Sequence, residues 1–140
     1  MSKYPILVVD DNPDDFYAVQ RVMAQAGIGN ELIHAESGDD ALAMLRGEGR
    51  KNPLKPTFIL MDVNMPGMKG TEVLQEIRSD DKIKSIPVIM LTSSNADRDV
   101  VSAFQGGANS YLTKPVDFSQ LIQALQRIKS HEIEIALNPK

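Results

Sequence analysis

The sequence predicts a doubly wound α/β domain, with helices covering both faces of a five-stranded parallel sheet. Three observations predict it. Short apolar runs alternate with amphipathic segments five times over, three of those runs are continuous in hydrophobicity, and turn and capping residues fall between them. Continuous runs are what strands buried on both faces require, and strict strand–helix alternation implies right-handed parallel crossovers. The first run, residues 6–9, leads to Asn12-Pro13-Asp14-Asp15. That quartet supplies an N-cap, a proline at the first helical position and two carboxylates against the positive helix end, so a helix is expected over 13–26 with Gly27 as its stop. The second run, 31–35, precedes a helix over 38–47, and the Gly- and Pro-rich stretch 47–56 reads as a long loop. The third run, 58–61, is followed by a helix over 71–79, and the fourth, 87–91, by one over 96–105 that Gly106-Gly107 would end. After the fifth run, 110–112, the apolar spacing of Leu121, Ile122, Leu125 and Ile128 marks a helix over 117–130. There is no internal repeat and no low-complexity tract.

Composition narrows the function classes. At 140 residues the chain suits one domain, and its 42% apolar content is too high for disorder. Acids outnumber bases 19 to 15, with 12 Asp against 7 Glu, and the net charge is −4. A nucleic-acid partner needs a basic face, so none is expected. Without cysteine there is no disulfide framework, thiolate zinc site or cysteine nucleophile. The apolar stretch near the N-terminus is shorter than a signal-peptide core, and nothing approaches a membrane span. A cytoplasmic domain with an aspartate excess is expected, with no membrane partner.

In doubly wound sheets ligands bind beyond the carboxyl ends of the strands. The residues there are Asp10 and Asp11, then Asp62, then Thr92 with Ser93 and Ser94, then Thr113-Lys114-Pro115. An aspartate at such a junction is usually a cap or turn residue, and Asp14 and Asp15 are read only as helix-dipole partners. Capping accounts for each residue singly but not for all four strand ends together. Three neighbouring carboxylates would repel one another unless a cation shared the site, and Lys114 compensates only one charge. Oxygen ligands, few of them from protein, with a phosphate partner favour Mg²⁺. An aspartate beside Mg²⁺, with a lysine and a hydroxyl in reach, suits phosphoryl transfer to the carboxylate itself.

Four stretches here resemble the receiver domain of bacterial two-component response regulators. They are Ile6-Leu7-Val8-Val9-Asp10-Asp11-Asn12, Met61-Asp62-Val63-Asn64-Met65-Pro66-Gly67-Met68-Lys69-Gly70, Leu91-Thr92-Ser93-Ser94 and Gly107-Ala108-Asn109-Ser110-Tyr111-Leu112-Thr113-Lys114-Pro115. They run in the family's order and spacing, giving a receiver domain over residues 4–130. The resemblance implies a flavodoxin-like sheet of strand order 2-1-3-4-5 with five helices. It implies that Asp62 accepts a phosphoryl group from the phosphohistidine of a sensor histidine kinase. Asp11, Asp62 and the main-chain carbonyl of Asn64 would bind Mg²⁺, with Asp10 acting mainly through water. Lys114 would hold a phosphoryl oxygen, and Pro115 would follow a cis peptide bond. Thr92 would close on the phosphoryl group and Tyr111 would swing into the vacated space, switching the face made by helix 96–105, strand 110–112 and helix 117–130. The small Ser93 would leave the acceptor accessible, and Asn64 and Ser94 would tune hydrolysis to an intermediate phosphate lifetime.

Two features depart from the family pattern. Lys69 replaces an acid that many receivers carry before the glycine, and the loop 47–56 is long. That loop and the neighbouring motifs resemble stand-alone regulators that serve phytochrome-type kinases, but the tail lacks the aromatic pair those proteins use in dimer contacts. Residues 131–140 are read as a C-terminal tail that is either frayed or a homodimer or partner contact. A downstream protein target or phosphotransfer protein would receive the signal. Met65 and Met68 are candidates for kinase contact as well as ordinary gap fillers. Neither His34 nor His131 has metal-ligand spacing. Three other functions fit less well. A flavin binder would need a phosphate cradle where Asp10 and Asp11 stand, and an aspartate-nucleophile phosphatase would need an acid at Asn64. A phosphorylation-independent scaffold would have no use for the full set Asp10, Asp11, Asp62, Thr92 and Lys114.

Overall fold

The computed structural model describes residues 4–49, 52–93, 107–126 and 128. The predicted helix over 96–105, Ser94 and the tail 131–140 lie outside the described residues. Five strands, β1 (Ile6–Val9), β2 (Leu32–Ala35), β3 (Phe58–Asp62), β4 (Val88–Thr92) and β5 (Ser110–Thr113), form one parallel sheet in the order β2-β1-β3-β4-β5. Four helices are present among the described residues: α1 (Pro13–Gln25), α2 (Gly38–Arg46), α3 (Gly70–Ser79) and α4 (Phe118–Gln126). None is long and apolar enough to cross a membrane.

Hydrophobic continuity along each strand matches its place in the sheet. The central strands β1, β3 and β4 are buried at every position, whereas the edge strands β2 and β5 are only partly covered. Successive strand residues point to opposite faces, which creates two cores. Leu7, Val9, Ile59, Met61 and Met90 pack with α2 and α3. Ile6, Val8, Phe58, Leu60, Ile89 and Leu91 pack with α1 and α4 on the other face. Met65 belongs to the first core at 6% exposure, where it fills a gap.

Local chemistry fixes the helix ends. The Asn12 side chain accepts from the Asp14 N–H at 2.9 Å, and Pro13 begins α1, as capping rules require. Ser37 caps α2 through the Asp40 N–H, and Gly47 closes it in the left-handed region at φ 79°. At α3 the Glu72 carboxylate accepts from the Lys69 N–H; the Lys69 ammonium has no acceptor to return the bond. The chain leaves β1 toward β2 on one side and builds β3, β4 and β5 on the other. The direction therefore reverses between β1 and β3, and the carboxyl ends of those two strands flank the resulting crevice.

Candidate functional site

Asp10 follows β1 directly, Asp62 ends β3, Thr92 ends β4, and Lys114 follows β5. Parallel register brings these ends to one edge of the sheet: Asp62 pairs with Leu91, and Thr92 with Thr113. The Lys114 N–H donates to the Thr92 carbonyl at 2.7 Å, and the Lys114–Pro115 peptide bond is cis. Carboxylate oxygens of Asp10, Asp11 and Asp62 all lie within 4.8 Å of one another. Asp10 is fully buried, Asp62 is nearly so, and Asp11 is exposed. Lys114 Nζ sits 3.0 Å from Asp10 Oδ2 and 3.1 Å from Asp62 Oδ2.

Backbone donors orient the two buried acids. Asp10 Oδ1 accepts from the Asn12 N–H at 2.9 Å, and Asp62 Oδ1 accepts from the Asn64 N–H at 3.2 Å. Burial nevertheless pushes both carboxyls up from their ordinary value, and Lys114 and those amides only partly offset it. Burial also works against the Lys114 charge, but Asp15, Asp10 and Asp62 outweigh it and push the ammonium pKa up.

The donor set fits a hard divalent cation. Asp10 Oδ2 is buried and meets the Lys114 ammonium in an ion pair at 3.0 Å. Oxygen-only ligands, with one lysine against three clustered carboxylates, are the pattern such an ion completes. The site is an acidic crevice at the carboxyl edge of the sheet. A larger cavity of about 510 Å³ lies elsewhere, lined by Leu45, Leu54, Lys55, Ile83 and Ile86, and contains none of these residues.

Residues 6–126 match the family described as the response regulator receiver domain. The chain belongs to that family. Response regulator Rcp1 of Synechocystis sp. is 37% identical over 135 residues, covering 96% of this chain and 92% of Rcp1. A solved Mn(2+)-bound form of Rcp1 superposes with a TM-score of 0.74 at 36% identity, covering 98% of this chain and 99% of that one. The bacteriophytochrome response regulator AtBRR superposes with a TM-score of 0.85 at 33% identity, and each chain covers the other fully. The phosphorylated cyanobacterial phytochrome response regulator RcpA gives a TM-score of 0.76 at 36% identity, covering 89% of this chain and 90% of that one.

In this receiver domain the other expected site residues fall as follows. Thr92 is buried at the strand end, Ser93 is exposed beside it, and Asn64 is exposed in the loop after Asp62. Tyr111 is half-buried on β5 and packs against the α2–α3 core. Two further residues reach the site without having been expected there. Asp15, read from sequence only as a helix-end charge, places Oδ2 2.7 Å from Lys114 Nζ. His34 on β2 sets Nε2 2.8 Å from the Asp10 carbonyl and stacks on Phe16 with ring centroids 4.3 Å apart. A carbonyl only accepts, so this geometry requires the proton on Nε2. No short-range motif marks either residue, since both contacts join distant segments. Gly70 also supports the site: a Cβ there would lie 2.0 Å from the Asp62 carbonyl oxygen, so only glycine allows α3 to start so close to the acceptor strand.

Proposed function

We propose that Asp62 is the phosphoacceptor of this receiver domain, taking its phosphoryl group from the phosphohistidine of a sensor histidine kinase. The observation that carries this reading is the convergence of Asp10, Asp11 and Lys114 on one carboxylate at the sheet's reversal point. An Asp62 oxygen attacks phosphorus and forms a P–O bond. The P–N bond breaks, its electron pair stays on the imidazole nitrogen, and that nitrogen takes up a proton. The Asn64 N–H holds the acceptor in orientation, while Lys114 and the Thr92 hydroxyl serve the phosphoryl oxygens. Asp10, Asp11, Asp62 and the Asn64 carbonyl would hold Mg²⁺, which when bound neutralises charge on the transferring group. The Mn(2+)-bound form of Rcp1 supports a divalent cation in a relative.

The protein would act as a signalling switch that catalyses only its own phosphorylation and dephosphorylation, in the cytoplasm. Thr92 and Tyr111 would pass the change to the surface around β5, with Asn64 and Ser94 tuning hydrolysis. Similarity to AtBRR and RcpA supports a phytochrome-type kinase as the partner. A downstream target or phosphotransfer protein would read the switch, and residues 131–140 would contribute a dimer or partner contact beyond the receiver domain of 4–130. Incubation with Mg²⁺ and acetyl phosphate, followed by intact-mass measurement, tests the assignment. One added phosphoryl group is expected in the parent and none in Asp62→Asn. An adduct that persists in Asp62→Asn overturns it.

A further inference from the structure

We propose that Asp15 is a positioning residue of this site, holding Lys114 beside the acceptor while a divalent cation occupies Asp10 and Asp62. The inference rests on the reading of Asp62 as phosphoacceptor. Lys114 Nζ has three N–H donors and three carboxylates around it: Asp15 at 2.7 Å, Asp10 at 3.0 Å and Asp62 at 3.1 Å. Asp15 makes the shortest contact, and it lies outside the trio of carboxylates that converge within 4.8 Å. A divalent cation drawn to that trio carries the same sign as the ammonium and competes for Asp10 and Asp62. Like charges sharing two carboxylates repel, so those two alone would release Lys114 outward. Asp15 is the partner the cation leaves in place.

The local structure frees Asp15 for this task. Asn12 already caps α1 and Pro13 fills its first position, so the Asp15 side chain is not needed as the cap. Its carboxylate is 33% exposed and its ion pair with Lys114 spans 99 residues of sequence, which makes it a tertiary tether and not a turn contact. Lys114 itself is only 17% exposed, and with Asp15, Ala18, Val19 and Leu91 it lines a small cavity of about 40 Å³ beside α1. The ammonium is thus held from the α1 side as well as from the crevice.

The test measures initial phosphorylation rates of the full chain with saturating Mg²⁺ and acetyl phosphate. Asp15→Asn is expected to slow the rate about three- to tenfold, the size expected for losing one charge-assisted contact to a positioned group. Asp15→Glu keeps the carboxylate and should recover most of that loss. In a Lys114→Met background Asp15→Asn should cost nothing more, because its effect passes through the lysine. A second readout does not depend on that variant folding: ¹³Cε-labelled lysine NMR before and after adding Mg²⁺. The Lys114 signal should stay distinct from exposed lysines in the parent and move toward them in Asp15→Asn only when Mg²⁺ is present. An Asp15→Asn rate at or above that of the parent, a multiplicative loss in the double variant, or a Lys114 signal insensitive to Asp15 overturns the proposal. If the parent takes up no phosphoryl group, or Asp62→Asn takes one up, the reading of Asp62 fails first and removes the basis for this inference. A phosphorylated parent with an inert Asp62→Asn leaves the Asp15 result to be judged alone.

Discussion

Ionisation and folding oppose each other at Asp10. Its carboxyl is raised above the ordinary value of 3.8, chiefly by burial, so the charge costs more in the folded chain than in the unfolded one. Below pH 3.8 neither state is ionised and nothing is lost; as pH rises through the raised folded pKa, stability falls. Asp10→Asn removes that penalty. In chelating buffer its melting midpoint should exceed the parent's, with a margin that grows from acid toward neutral pH and shrinks when Mg²⁺ is added. Calorimetry across pH checks this, and a variant that melts below the parent at neutral pH would contradict it. The same scale shows what residue types alone conveyed. Asp10, Asp11, Asp62 and Lys114 were legible as candidates because each stands within two residues of the end of an apolar run. Asp15 is the helix-end charge its neighbours predict, but nothing in them announces its second contact with Lys114. The bond of His34 to a distant carbonyl likewise leaves no spacing signature.

Among the elements, α3 ties the sheet together at the end opposite the acidic crevice. Arg78, in its last turn, donates to the carbonyls of Lys84, Ile86 and Gly107 and to the Asn109 side chain. Asn109 in turn accepts from the Val88 N–H at the start of β4. One guanidinium therefore clasps the segments that enter β4 and β5, and burial lowers its pKa without removing its charge. Arg78→Ala would leave several carbonyls without a donor and should cost about 2–4 kcal/mol in urea unfolding, with Lys restoring little because it lacks the planar fork. Phosphorylation of the folded fraction by acetyl phosphate should be unchanged, since the clasp is remote from Asp62. Element boundaries were legible to within a few residues because caps and strand periodicity are local: Asn12 and Pro13 start α1 where expected, and β3 runs one residue past the predicted run to include Asp62 itself. Nothing local marked Arg78, whose partners lie 6 to 31 residues away.

For the molecule as a whole, a cation held in the acidic crevice would make stability depend on its concentration. A divalent ion that binds only the folded chain should raise its stability by about 2.7 kcal/mol at a hundredfold excess over Kd. Thermal melts against Mg²⁺ concentration should show that rise in the parent and a much smaller one in Asp11→Asn; equal rises would place the ion elsewhere. The sequence by itself determined the number of strands and their succession along the chain, which of them are buried on both faces, and the carboxylates that end them. These are properties of neighbouring residues, carried by hydrophobic period and capping chemistry. Only the tertiary structure decided which charges meet: Asp15 with Lys114, His34 with the Asp10 carbonyl, and Arg78 with the entries to β4 and β5. Those contacts depend on strand order and crossover direction, which bring distant residues within hydrogen-bond reach and leave no periodicity in the chain between them.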